Sequence, residues 1–143
     1  MKSALQSMDV SYLVHATEDV DKVNDAVTRL LEIEGSPELE EMSGHFGNPI
    51  MKAAFHLHGE EAARSFGALR AKLPPEVRSR IVNEIGQLID EHSSLFLRFD
   101  KQRLVKGELA EGTSDVVRIK VKPRAFLMKG RATDFFAGML EAG

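Results

Sequence analysis

The stretch 94–129, SLFLRFDKQRLVKGELAEGTSDVVRIKVKPRAFLMK, decides the fold, because it reads as two long strands joined by a turn. Its second strand alternates apolar and basic residues in the order Val117, Arg118, Ile119, Lys120, Val121 and Lys122. Successive side chains of a strand point to opposite faces of the sheet. The pattern therefore predicts a sheet that buries one face and presents a row of cations, roughly 7 Å apart, on the other.

The first strand of this pair contains a change of phase. Its apolar residues alternate up to Phe99 and then fall out of step at Leu104 and Val105. A slip of phase in an otherwise regular strand indicates a bulge or a break, which we place at residues 100–103. Such features redirect side chains, so this segment is a candidate functional corner. The turn between the two strands falls at residues 110–114.

The rest of the chain supplies further strands and a set of amphipathic helices. Thr17 is a good N-cap for the helix that follows the first strand. Residues 50–58 are compatible with either a strand or a short helix, because their periodicity does not decide between them. The other predicted elements are a strand at 10–16, a helix at 18–31, a strand at 39–46, a glycine-rich turn at 44–50, a helix from 59 to 73, a helix from 75 to 89 and a closing helix at 133–140.

Strands at both ends of the chain, with helices between them, predict an α+β fold. We expect a two-layer sandwich in which a mostly antiparallel sheet carries helices on one face and leaves the other face partly open. The length of 143 residues suits one domain, so we assign residues 1–143 to a single domain.

Composition narrows the class of protein. Hydrophobic residues make up 43% and charged residues 29%, as in an ordinary globular protein, and cysteine is absent. The lack of cysteine excludes disulfides and thiol catalysis and fits a reducing compartment. No apolar run approaches the roughly 20 residues of a membrane span, and the first residues do not resemble a signal peptide. We therefore expect a cytoplasmic protein without a membrane partner.

The charges are unevenly distributed along the chain. Residues 98–131 contain ten cations and four anions, a net charge of +6, whereas the whole chain carries −3, so the remainder carries −9. An acidic body with a basic end is typical of a protein that binds a polyanion selectively. The alternative is a solvated strand face whose lysines protect an exposed sheet edge.

RNA is the polyanion that we predict. Contacts with its backbone require cations, whereas base recognition also needs exposed aromatic side chains, and the chain has one Tyr and no Trp. Phe96 shares a face with Arg98 and would stack on a base unless a helix covers it. Recognition of structured RNA through its backbone is therefore the better fit. The predicted RNA-binding residues are Arg98, Lys101, Gln102, Arg103, Arg118, Lys120, Lys122 and Arg124, with His45 and Asn48 from the glycine-rich turn.

Motifs for catalysis are missing from the sequence. It contains no phosphate-binding GxxxxGK[ST], no GxGxxG and no GxSxG. His56 and His58 would share a face of a strand and, with Glu60 or Glu61, suggest a metal site, although a structural or solvent-exposed pair fits better. We therefore expect no catalytic residue, no bound metal and no cofactor. The alternatives are a homodimer or protein-interaction module that uses the same open sheet, and a metal-dependent hydrolase.

Three segments together resemble a known family. They are His15-Ala16-Thr17-Glu18-Asp19, Gly44-His45-Phe46-Gly47-Asn48-Pro49-Ile50 and Leu97-Arg98-Phe99-Asp100-Lys101-Gln102. In this order and spacing they are similar to a mainly archaeal family of small proteins, described as RNA-binding and as a predicted exosome subunit. The resemblance spans about residues 9 to 125. It implies a fold like that of a large-subunit ribosomal protein that contacts ribosomal RNA, and partners in an RNA-processing complex.

Overall fold

A five-stranded antiparallel sheet in the order β2-β3-β1-β5-β4 organises the molecule. The computed structural model describes residues 3–43 and 47–141. The elements are β1 (Leu5–His15), α1 (Val20–Leu31), β2 (Glu38–Ser43), β3 (Pro49–His58), α2 (Gly59–Lys72), α3 (Pro75–Asn83), β4 (Leu95–Asp100), α4 (Lys101–Val105), β5 (Val116–Pro123) and α5 (Lys129–Glu141). The predicted α+β class, with helices on one face of an antiparallel sheet, is confirmed.

The first strand, β1, is the centre of the sheet. It pairs with β3 on one side and with β5 on the other, both antiparallel, so that Val10 lies between Phe55 and Ile119. These three side chains belong to the buried row that faces the helices, and all are at most 5% exposed. The residues before and after them in each strand point to the opposite face. That opposite face is the open one.

The helical layer is attached to the sheet largely through apolar side chains. In α1, Val23, Val27 and Leu31 recur on one side of the helix and are buried in the hydrophobic core between the helices and the sheet. The N-cap of α1 is Asp19, whose carboxylate accepts hydrogen bonds from the backbone N–H groups of the first turn. The expectation that Thr17 caps this helix is therefore wrong, because the chain makes one more turn before the helix begins.

The structure decides one element that the sequence left open and shortens another. The ambiguous segment 50–58 is a strand, β3, because it pairs along most of its length with β1 and β2. The helix predicted from 75 to 89 ends at Asn83 and is followed by a short 3-10 turn at Ile85–Gln87. This shorter helix returns the chain to the sheet, where Ile89 forms a β-bridge with Leu95.

The change of phase near residue 100 is a break between a strand and a helix. Strand β4 ends at Asp100, and its carboxylate accepts a hydrogen bond from the Arg103 N–H at 2.9 Å as the N-cap of α4. Leu104 and Val105, out of step with the strand, lie in this helix, where Leu104 is buried. The break predicted at 100–103 is confirmed, whereas the long first strand is wrong.

Candidate nucleic-acid interface

Four cations lie together on the open side of strands β4 and β5. Arg118, Lys120 and Lys122 alternate with buried residues of β5, and Arg98 does the same in β4, so all four are exposed. We call these four side chains the basic face. Their positions follow from the two-residue period of a strand, which separates successive cations of β5 by roughly 7 Å.

Two arginines of the basic face stand directly opposite each other. The register pairs Arg98 with Arg118. The N–H groups of Phe96 and Asp100 bond outward, away from β5, so this is a non-hydrogen-bonded pair, in which opposing side chains lie closer. Like charges in this position are destabilising. Neither arginine forms an ion pair with an acid in the part of the chain that the structure describes. The site therefore favours an anion that lies between them.

An aromatic ring lies within this basic surface. Phe96 is 37% exposed and stands opposite Lys120, whose Nζ lies 5.7 Å from the centre of the ring. No helix covers it, because it faces the open side of an edge strand. A ring that carries a cation on one side and remains accessible is a platform on which a base stacks. The sequence identified Phe96 as a candidate for stacking, but it does not show which face the helices cover.

The other half of the open face has the opposite charge. Strand β2 places Glu38 and Glu40 on it, opposite Ala54 and Lys52 of β3. At the boundary, in the row that contains Lys120, His56 Nδ1 lies 2.8 Å from Asp9 Oδ1. The sheet therefore carries an acidic half on β2 and a basic half on β4 and β5. A polyanion is attracted to one half and repelled by the other.

Lys101 lies in a different environment. Its side chain is fully buried, and Nζ donates to Glu18 Oε1 at 2.7 Å, to the Leu13 carbonyl at 2.5 Å and to Asp115, whose Oδ1 lies at 2.9 Å. Its ammonium thus has no access to a phosphate. This contradicts the prediction that Lys101 contacts RNA, because the buried charge needs both carboxylates for itself. We call Lys101, Glu18, Asp115 and Gln102 the lysine corner.

The acids of the lysine corner have lowered pKa values. Burial by itself raises the pKa of Glu18, but hydrogen bonds from Lys101, the His15 N–H and Gln102, with the charge of Lys101, outweigh burial and hold the pKa below its ordinary value. Burial likewise raises the pKa of Asp115, and hydrogen bonds from Gln102 and Lys101, with nearby positive charge, lower it overall. Both carboxylates are therefore ionised at neutral pH, as the buried ammonium requires.

The remaining predicted site residues are dispersed over the molecule. The amide of Gln102 donates to Glu18 and Asp115 and belongs to the lysine corner. Arg103 lies beside α1 in the helical layer, where Nε is 2.9 Å from Glu108 Oε2. Arg124 follows the end of β5, and its Nε donates to the Ser3 carbonyl at 2.6 Å. The structure brings neither Arg103 nor Gln102 to the open side of β4 and β5.

Residues 47–50, the described part of the glycine-rich turn, lie at the end of β1 that contains His15. Asn48 is exposed just before β3, whose Ile50 pairs with His15. The lysine corner is at this same end, since Lys101 bonds to Leu13 and Glu18. The described parts of the three motif segments therefore meet at one end of the sheet, and the register places Asn48 beyond the row of Arg118. His45 lies outside the described residues.

Neither a metal-binding cluster nor a membrane-spanning helix is found in residues 3–43 and 47–141. No group of three or more His, Asp or Glu residues there is arranged to hold a metal ion. His56 is engaged with Asp9, and its Nε2 lies 3.8 Å from Glu38. Within those same ranges, every helix is too short or too polar to cross a bilayer.

Comparison with known proteins identifies the family. Residues 7–123 match a family described as RNA binding, and the chain belongs to it. A curated relative, the RNA-binding protein PAB1135 of Pyrococcus abyssi, is 33% identical over 92% of this chain and 90% of its own length. The relationship to an archaeal RNA-binding family that the three motifs suggested is thereby confirmed.

Solved structures of archaeal proteins share the fold. The DUF54 protein Mth689 of Methanothermobacter thermautotrophicus superposes with a TM-score of 0.78 at 28% identity, covering 96% of this chain and 98% of that one. The protein AF2318 of Archaeglobus fulgidus superposes with a TM-score of 0.80 at 26% identity, over 94% and 99% of the two chains. The sheet and helices described above are therefore an architecture that these relatives share over nearly their whole length.

Proposed function

We propose that this protein binds structured RNA by holding its phosphate backbone against the basic face, and that it catalyses no reaction on it. The family and the curated relative support RNA as the ligand. The observation that carries the proposal is the pair Arg98 and Arg118, side by side without an acid partner among the described residues. A phosphate between two guanidinium groups relieves their repulsion and accepts hydrogen bonds from both.

The surroundings of the basic face support this assignment. Lys120 and Lys122 extend the positive surface along β5, and the hydroxyl group of Ser11 in β1 stands next to it, since Ser11 pairs with Arg118. A row of cations beside a hydroxyl suits a ligand that alternates phosphates with ribose 2′-hydroxyls. The acidic half on β2 restricts the ligand to β4 and β5.

A salt titration tests the proposal. Four cations that neutralise phosphates predict that the logarithm of the RNA association constant falls with the logarithm of salt concentration with a slope of about −3 to −4. Raising the salt from 50 to 200 mM would then weaken binding by roughly 60- to 250-fold. Fluorescence anisotropy with a labelled RNA hairpin measures this. Binding that does not depend on salt contradicts the proposal.

Charge reversal on the basic face is the complementary test. Arg118→Glu with Lys120→Glu should weaken RNA binding by at least about 100-fold and reduce the salt slope by about two. A matched control is Lys106→Glu with Arg131→Glu, because it makes the same change of net charge at exposed positions outside the sheet. The control should lose far less affinity. Equal losses in the two variants would mean that overall charge, and not the basic face, determines binding.

The salt titration and the double glutamate variant also distinguish RNA binding from the rival function, a protein interface. If the open face instead binds another protein or a second copy of the chain, the interaction should centre on its exposed apolar residues, Leu13 and Met42, and respond weakly to salt. A dimer that dissociates in Leu13→Asp but not in the double glutamate variant would favour this rival.

We further propose that the protein acts in the cytoplasm as an accessory factor in RNA processing or degradation, associated with the exosome. The support is the resemblance of the three motif segments to a family described in these terms. Purified exosome should degrade a bound RNA at a different rate when this protein is added. With the Arg118→Glu, Lys120→Glu variant, the exosome should degrade the RNA at the rate that it shows without this protein.

A further inference from the structure

The outer edge of β4 contains a gap in its hydrogen bonding. At one end, Ile89 forms a β-bridge with Leu95, and Phe96 N–H donates to the Leu88 carbonyl at 2.8 Å. At the other end, Glu111 forms a β-bridge with Phe99. Its hydrogen bonds run from Asp100 N–H to the Ala110 carbonyl at 2.8 Å and from Gly112 N–H to the Arg98 carbonyl at 3.2 Å.

Two backbone groups remain between these bridges. The backbone N–H and C=O groups of residues 96 and 98 point away from β5. The Phe96 carbonyl and the Arg98 N–H therefore face outward, and neither has a hydrogen-bond partner in the part of the chain that the structure describes. One acceptor and one donor are thus available side by side. Strand edges of this kind are places where another molecule pairs with the protein.

A cavity opens at this gap. Its volume is about 380 Å³, and the buried residues Ile81, Leu97 and Phe99 line its inner side. Phe96 and Arg98, whose side chains lie on the open side of the sheet, also line it, so the cavity adjoins the basic face at the edge of β4. We call it the edge slot. Its size and its combination of apolar walls with a few polar groups are typical of small-ligand sites.

The carboxylates beside the edge slot already have partners. Asp90 accepts hydrogen bonds from the N–H groups of His92 and Ser94 at 3.0 and 2.9 Å. Glu111 pairs with Arg80 at 3.0 Å. Within the strand, the Phe96 carbonyl and Arg98 N–H therefore remain as groups that a ligand would satisfy, and Gln87 also lines the slot.

We infer that the edge slot binds one unpaired nucleobase of the RNA, an inference that rests on the proposed function. A base is a flat ring whose edge carries both donors and acceptors, which suits an apolar slot with one carbonyl and one N–H. The bridges on both sides exclude an added peptide strand, because the gap is only about one residue long. The basic face beside it holds the phosphates that would bring the base to the slot.

The positions of the walls are fixed by close packing. Gly112 lies so near β4 that a Cβ there would stand 2.9 Å from Asp100 Cα and 2.9 Å from Val116 Cγ1. A larger residue would therefore force this segment away from the strand. The wall that contains Gly112 is therefore held in place before a ligand arrives, which reduces the ordering needed on binding and favours affinity.

Bulged RNA duplexes test the inference. Three labelled duplexes of one sequence are compared by anisotropy at a fixed salt concentration: fully paired, with one bulged nucleotide, and with an abasic site at the bulge. The protein should bind the bulged duplex about tenfold more tightly than the paired one, and the abasic duplex no better than the paired one. If all three bind equally and with the expected salt dependence, the slot inference fails while RNA binding stands. If none binds, the proposed function itself fails.

A substitution that removes one backbone N–H tests whether the preference for the bulged duplex arises at the edge slot. Arg98→Pro removes the outward N–H without removing a sheet hydrogen bond, since proline is tolerated at such positions of edge strands. Arg98→Ala removes the same side chain and keeps the N–H. Both variants should weaken binding to every duplex, but only Arg98→Pro should abolish the preference for the bulge. If both keep the preference, the inference is overturned. Circular dichroism checks the folding of Arg98→Pro, and should that variant unfold, the abasic duplex with wild-type protein decides.

Discussion

The basic face and the lysine corner both contain positively charged side chains, but only in the lysine corner is the charge neutralised by neighbouring carboxylates. In the lysine corner, one fully buried ammonium is enclosed by two carboxylates and a carbonyl. On the basic face, two arginines stand opposite each other with no acid of the described chain beside them. A cation that the fold has already neutralised contributes to stability, whereas a cation left unneutralised remains available to a ligand.

The largest expected effect comes from removing the buried cation. Lys101→Met should lower the free energy of unfolding by about 3–5 kcal/mol, because Glu18 and Asp115 would be left without their counter-charge. Urea denaturation measures the loss. Lys106→Met is the control, since Lys106 is exposed, and it should change the free energy of unfolding by less than about 0.5 kcal/mol.

A compensated variant sharpens this prediction. Adding Glu18→Gln and Asp115→Asn to Lys101→Met removes the unpaired charges together, so it should recover part of the lost stability. If Lys101→Met is as stable as the wild type, the lysine corner does not hold the fold together, and the contrast with the basic face would be wrong.

Lowering the pH should reduce the free energy of unfolding by a smaller amount. Because the pKa values of Glu18 and Asp115 are lowered in the folded protein, the unfolded chain takes up protons first as the pH falls. Their contribution to stability is therefore complete above the ordinary carboxyl range and is lost as the pH falls through the folded pKa values. The loss should be smaller than that in Lys101→Met, since Asp115 is 38% exposed and partly screened by water. Urea denaturation at several pH values follows this loss.

The Lys101→Met variant is the control for the acid experiment. It lacks the ammonium that lowers both pKa values, so its stability should fall less steeply with pH. An identical pH dependence in the two proteins would assign the acid sensitivity to other groups.

The smallest expected effect comes from removing the ring of Phe96, which lies beside the basic face. Phe96→Ala should weaken RNA binding roughly tenfold through lost stacking, with little change in the salt slope, because no cation is removed. Phe126→Ala is the control, since Phe126 is 68% exposed but lies between β5 and α5, outside the sheet. Anisotropy with the same RNA hairpin measures both. If Phe96→Ala binds RNA as the wild type does, the basic face acts through charge alone.

Local pattern predicted much of the fold. Alternation in β5 and helical spacing in α1 identified both elements, because burial of one face imposes a fixed period. The segment 50–58 could not be assigned, since its strand character comes from pairing with β1 and β2, which lie far away in sequence. The break after Phe99 was visible as a change of phase. The helix that follows this break begins at Lys101, where the carboxylate of Asp100 caps its first turn.

The candidate site was predictable only in part. The alternating cations Arg118, Lys120 and Lys122 were found from the sequence, and the structure places them with Arg98 on one surface. Lys101 looked equivalent to them in sequence, but its partners Glu18 and Asp115 are 83 and 14 positions away, so no local pattern reveals its burial. The same reason conceals the exposure of Phe96 and the gap in the edge of β4.

The sequence by itself determined that this chain forms an α+β sheet with one basic strand face, since alternation is a local property of a strand. Only the tertiary structure decided which cations stay free, which aromatic side chain is accessible and where the sheet edge is open. Those properties depend on residues brought together from distant positions, and neutralisation and burial are properties of the assembled neighbours.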